Sequence, residues 1–189
     1  MPMTQIDLVN AALIKLGAYK IISLSDGSTE ADIANTLYTP VRDGMLALYP
    51  WGFSTAQIVL STPTTPPTAD YTYAFSLPSD HVRTLSVGDG TASQGATYRV
   101  QGTTIETDAP QITLSYIRRG SESTQPPHFN LAFIARLAAE FCLPLTENTS
   151  RAETLYRLAD RELLNARGLD AQQDTPTRLV RFNLIDTRG

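Results

Sequence analysis

The residues able to do nucleophilic, metal-binding or proton-transfer chemistry are few: two histidines, His81 and His128, and one cysteine, Cys142. A serine hydrolase would need one of these imidazoles beside an activated serine. The chain has no Gly-x-Ser-x-Gly elbow to present that serine. His81 follows a Pro-Ser-Asp turn and His128 stands at a predicted helix start, so surface or capping roles are expected of both. Histidines this far apart, with no acidic cluster nearby, do not have metal-ligand spacing. A lone cysteine excludes an intrachain disulfide and a multi-cysteine zinc site. Within the apolar run 137–145, Cys142 is expected to be a small buried hydrophobe. Gly88, Gly90 and Gly95 are loosely spaced, with no Lys-Ser/Thr after them, so they do not form a phosphate-cradling loop. No metal or cofactor is expected.

Carboxylates offer the remaining chemistry, a pair acting as acid and base in glycoside cleavage. Glu140 is the best candidate, because burial on an apolar helix can raise the pKa of a carboxyl. Arg136, one turn earlier, gives it a structural ion-pair partner instead. Asp80, in the turn Leu77-Pro78-Ser79-Asp80, is expected to accept backbone amides. Arg118 and Arg119 read as solvated charge at a strand end. A formal charge of −4 argues against a broad surface that grips nucleic acid, though not against a wall past which DNA slides.

The elements that position these residues fall into three stretches. Two helices come first, over residues 4–16 and 28–48. Thr4 caps the first with Asp7 in its opening turn, and Gly17 closes it. In the second, Ile33, Leu37, Tyr38, Val41, Met45 and Leu48 share one stripe, and Pro40 removes one backbone donor. Six short β-prone runs follow, within 56–60, 71–75, 82–87, 98–100, 103–107 and 111–117, separated by turn residues. Gln101-Gly102 marks a hairpin and Asp89-Gly90 another turn. Helices return at 128–143, apolar on nearly every side, and at 150–167, where Ser150 and Glu153 form a capping box and Gly168 is the stop. The third helix is therefore expected at the centre of a bundle, or covered also by a neighbouring copy.

The expected fold is α+β. A four-helix bundle is built from residues 1–53 and 120–168, a small antiparallel β lobe of residues 54–119 is inserted in it, and an extended tail covers 169–189. In that tail Arg178 and Arg181 alternate with Leu179, Val180, Phe182, Leu184 and Ile185, a pattern suited to docking on a partner. No run approaches the ~20 apolar residues of a membrane span, and the first residues lack a basic signal-peptide region, so no membrane association is expected.

The order of short motifs goes further. Asn10-Ala11-Ala12-Leu13, Leu16-Gly17, residues 22–28, Tyr38, Arg42-Asp43 and Tyr49-Pro50-Trp51-Gly52-Phe53 come first. Tyr73 to Asp80, Arg83, residues 98–102, Tyr116-Ile117, Pro127, Phe129, residues 137–140 and Asp170-Ala171-Gln172 follow. Together, over residues 5–173, they resemble the tail tubular protein A type of head-to-tail adaptor of short-tailed phages and related particles. The resemblance implies a structural virion protein, not an enzyme. It implies a ring of about a dozen copies between the portal protein and the next tail or neck protein. Such a ring assembles in the host cytoplasm, and genomic DNA passes through its channel without sequence-specific binding. It also gives Tyr49, Pro50, Trp51, Phe53, Leu77, Pro78 and Asp80 structural roles, the aromatics wedging helical and β lobes together. Rival readings are a peptidoglycan-cleaving accessory protein of the particle and a monomeric protein-binding module.

Overall fold

A computed structural model describes residues 2–88 and 95–173. The Asp89-Gly90 turn and the docking segment from Arg178 to Ile185 lie outside the described residues. Within them the chain is α+β, with four helices and two small antiparallel sheets.

α1 (Gln5–Leu16) opens with a reciprocal cap. The Thr4 hydroxyl accepts the Asp7 N–H at 3.2 Å, and the Asp7 carboxylate accepts the Thr4 N–H at 2.9 Å. Gly17, at φ 72°, closes the helix in the left-handed conformation. α2 (Thr29–Leu48) starts at Ser28, whose hydroxyl takes the Ala31 N–H, and runs unbroken through Pro40.

α3 (Pro127–Thr146) and α4 (Thr149–Ala171) form a helical hairpin. Two sequence expectations fail in α4. Asn148, not Ser150, is the cap, its side-chain oxygen accepting the Arg151 N–H at 2.9 Å. Asn is as good a cap as Ser and stands two residues earlier, so the helix starts there. Nor does Gly168 stop the helix, which continues to Ala171. A glycine inside a helix costs only about 1 kcal/mol, and the contacts of Asp170 described below hold the extra turn in place.

α3 packs against α1, α2 and α4. Phe129, Phe133, Leu137, Ala138, Phe141 and Cys142 are fully buried among them. Its burial is thus supplied by its own chain, and no neighbouring copy is needed to explain its composition. By length and composition α3 could cross a membrane, contrary to expectation, yet 61% of its apolar window is buried inside this fold. Leu131 and Leu143 are exposed.

The β lobe has β1 (Thr55–Leu60), β6 (Ile112–Arg118) and β3 (His81–Gly88) in one sheet, with β6 central. β2 (Tyr73–Ser76), β5 (Thr104–Thr107) and β4 (Tyr98–Gln101) make the other, with β5 central. β4 and β5 form the expected hairpin, Gln101 opposite Thr104, with Gly102 at φ 59° in the turn. Phe75 and Ile105 from one sheet meet Val87, Ile112, Leu114 and Tyr116 from the other in a second core. Alternate residues of β6 thus face this core, whereas Ile117 turns the other way into the helical core.

Against β6, β3 carries two bulges, between His81 and Arg83 and between Thr84 and Ser86. The residues left without a partner, Val82 and Leu85, pack on the helical core. A bulge re-aims a side chain out of the regular alternation. Here both bulges send an apolar side chain across to the helices.

Candidate functional site at the lobe junction

The segment joining α2 to β1 is a wedge of aromatic rings. Trp51 is fully buried, its Nε1–H donating to the Met45 carbonyl at 3.0 Å. Its ring meets Tyr49 and Phe129 edge-on, at centroid distances of 5.1 and 5.0 Å, and Phe53 meets Phe129 at 4.9 Å. Such pairs add about 0.5–1.5 kcal/mol each beyond their buried area. Pro50 stays exposed between the rings. The following Gly52 N–H donates to Asp170 Oδ2 at 3.0 Å, and Asp170 Oδ1 lies 3.5 Å from His128 Nε2. The Arg167 guanidinium lies over the Tyr49 ring, 5.8 Å from its centroid. The end of α4 is therefore fastened to the junction by a buried carboxylate.

Beside the wedge runs a polar seam. From α2, Arg42 Nη1 donates to Glu122 Oε1 at 2.5 Å, and the Tyr38 hydroxyl donates to the same oxygen at 3.2 Å. Burial, then the Glu122 charge, pushes the Tyr38 phenol well above its ordinary pKa, with Arg42 opposing. Asp43 accepts the Arg119 guanidinium in a fork, with Nε at 2.9 Å and Nη2 at 2.5 Å. That bond raises the Arg119 pKa. From β3, Arg83 Nη1 donates to the Ala47 carbonyl at 2.7 Å, near the end of α2. Ser54 Oγ donates to the Arg118 carbonyl.

The turn before β3 completes the seam. Leu77 packs on the β core, and the Pro78 carbonyl accepts the His81 N–H at 3.0 Å. Asp80 Oδ1 accepts the Tyr116 hydroxyl at 3.1 Å, and the Asp80 carbonyl accepts the Arg119 N–H at 2.7 Å. His81 stacks on Tyr116 at 5.8 Å, and its Nε2 lies 3.0 Å from Thr84 Oγ1. Burial lowers the His81 pKa, partly offset by Asp80.

Several sequence expectations change here. The Asp80 carboxylate holds a tyrosine hydroxyl, because Tyr116 on the neighbouring strand reaches it before any backbone amide. Arg118 and Arg119 are exposed at the end of β6 as expected, and Arg119 also forms a fork on Asp43, 76 positions away. His128 is half-buried against Asp170 and neither caps a helix nor sits on the surface. Glu140 behaves as its pairing with Arg136 indicates. One oxygen accepts Arg136 Nε at 2.9 Å, and the other accepts the Tyr156 hydroxyl at 2.8 Å. Cys142 is a buried thiol beside Thr146.

Leu77 thus belongs to the β core and the Pro78 carbonyl closes its own turn, whereas the wedge residues Tyr49, Trp51 and Phe53 and the turn residue Asp80 lie along one junction. Asp170, Glu122 and Arg83 join them without having been singled out as site residues. Arg83 and Asp170 stood in the motif set, but their partners lie far off in sequence and no local pattern marked the contacts they make. No protein-family model matches the chain, and a search of curated proteins returns no match.

Proposed function

We propose that the chain is a structural subunit of the neck of a tailed phage or phage-derived particle. It is a head-to-tail adaptor that closes with further copies, about a dozen, into a ring beneath the portal protein. The ring presents its other face to the next tail or neck protein and continues the DNA channel without reading sequence. The four helices act as a bundle that forms the wall. The β lobe offers a further contact surface, and residues 178–185 grip a partner. Assembly takes place in the host cytoplasm, and the finished protein resides in the virion neck.

The observation that carries this reading is convergence. The motifs shared with the adaptor pattern are scattered from Asn10 to Gln172, yet nine of their residues, Tyr38, Arg42, Asp43, Trp51, Asp80, Arg83, Tyr116, Phe129 and Asp170, gather at one lobe junction. A motif set that encodes a stiff joint suits a part that relays one symmetric interface to another. The side chains suited to acid–base work, Glu140, His81 and Asp80, hold structural partners instead.

Electron microscopy of the particle neck tests the reading. Density for this subunit is expected between head and tail. Heads with portal protein that acquire their tails normally in the absence of this chain would overturn it.

A further inference from the structure

Pro2, Met3, Leu131 and Ile134 line a groove of 540 Å³ at the start of α3, together with Gln125 and Asn130. Leu131 is 58% exposed in it, in the first half of a helix whose other large apolar side chains there are buried. Gln125 and Asn130 are only 8% and 7% exposed. Yet Gln125 Oε1 and Asn130 Oδ1 have no hydrogen-bond partner among the described residues. Buried side-chain oxygens in this state are rare in folded proteins.

Elsewhere in the molecule a carboxamide shows what such a group does when engaged. Asn10 takes the Ile21 peptide from both sides, its Nδ2 donating to the carbonyl at 2.9 Å and its Oδ1 accepting the N–H at 2.8 Å. Asn130 Nδ2 is already spent on the Gln125 carbonyl at 3.5 Å. That leaves two carboxamide oxygens without a partner among the described residues, beside the exposed Leu131. The arrangement suits the N–H groups of an extended backbone that brings apolar side chains with it.

The path of the chain indicates the source of that backbone. Asp170, in the last turn of α4, faces His128 at 3.5 Å, and His128 adjoins Pro127, which also lines the groove. His128 is turned about 100° around α3 from Pro127, so the chain leaves α4 beside the groove's own helix end. Residues 174–177, if extended, reach about 13 Å, enough to round that end. In an extended strand, Val180, Phe182 and Leu184 share one face.

We propose that this groove is a docking site for residues 178–185 of the same chain, whose backbone engages Gln125 and Asn130 while its apolar face covers Leu131. The docking stands apart from the adaptor reading. Joined to it, the groove stores the tail until a partner withdraws it.

The test uses Leu131→Cys in the full chain, with the buried Cys142 left in place, and measures alkylation of the new thiol. Deleting residues 174–189 is expected to speed alkylation by about tenfold or more, and Phe182→Asp to do the same. Oxidising a Leu131→Cys/Phe182→Cys variant at low concentration is expected to give a disulfide within monomers. An unchanged alkylation rate, or no monomeric disulfide, overturns the proposal. A disulfide formed only between chains assigns the groove to a neighbour's tail and overturns the same-chain assignment. None of these outcomes depends on particle assembly, so failure here leaves the adaptor reading to its own test.

Discussion

Asp170 does two jobs with one carboxylate, accepting the Gly52 N–H and facing His128. Asp170→Ala removes the acceptor from a partly buried amide. It is expected to cost about 1–3 kcal/mol in urea unfolding, with Asp170→Asn losing less because it can still accept. His81 supplies a pH dependence. Its folded pKa lies below its ordinary value because burial disfavours the imidazolium. Between the two values the unfolded chain binds more protons, so stability should fall as pH drops through the ordinary histidine range. The loss is complete once pH is below the folded pKa. Unfolding curves at stepped pH should show this slope, and His81→Phe, which still stacks, should flatten it. At this scale, legibility followed distance along the chain. Thr4 with Asp7 and Arg136 with Glu140 were readable because their partners lie one helical turn away. Arg42 with Glu122 and Gly52 with Asp170, separated by 80 and 118 positions, were not, since no local pattern marks a partner brought in by folding.

At the scale of elements, hydrophobic period and turn chemistry located the four α-helices and six strands of the described residues, but not the 3-10 turns at Gly52–Ser54 and Glu122–Thr124. The start of α4 was misread because Asn148, an equally good cap, stands two residues before Ser150. The finish was misread because the Asp170 contact overrides the weak stop signal of a glycine. The correction has a direct check. Asn148→Ala should destabilise the protein by about 1 kcal/mol, whereas Ser150→Ala should stay within about 0.5 kcal/mol, both by denaturant titration. The bulges of β3 were also invisible, because strand propensity says nothing about which residue a partner strand skips.

For the molecule as a whole, the two cores are coupled through β6, which serves the β core with Leu114 and Tyr116 and the helical core with Ile117. The chain should therefore unfold in one transition seen alike by the fluorescence of its single tryptophan and by far-ultraviolet circular dichroism. Trp51→Ala, which empties the centre of the wedge, should lower stability by about 3–5 kcal/mol while keeping the fold recognisable. If the tail is the grip on the portal, a chain lacking residues 174–189 should fold normally yet fail to attach to portal-bearing heads. Sedimentation with purified heads would reveal unchanged attachment if that is wrong.

The paired bulges also give β3 a parity. Each inserts one residue, so together they restore the in-and-out phase of the strand by the time Val87 reaches the β core. Deleting Val82 alone makes the count odd and drives every later side chain to the wrong face, a far harsher change than any substitution there. Deleting Val82 and Leu85 together keeps the phase but withdraws both side chains from the helices. The β lobe should then fold with its own core intact and melt apart from the helical lobe. Tolerance to lost residues in this strand should therefore go by twos.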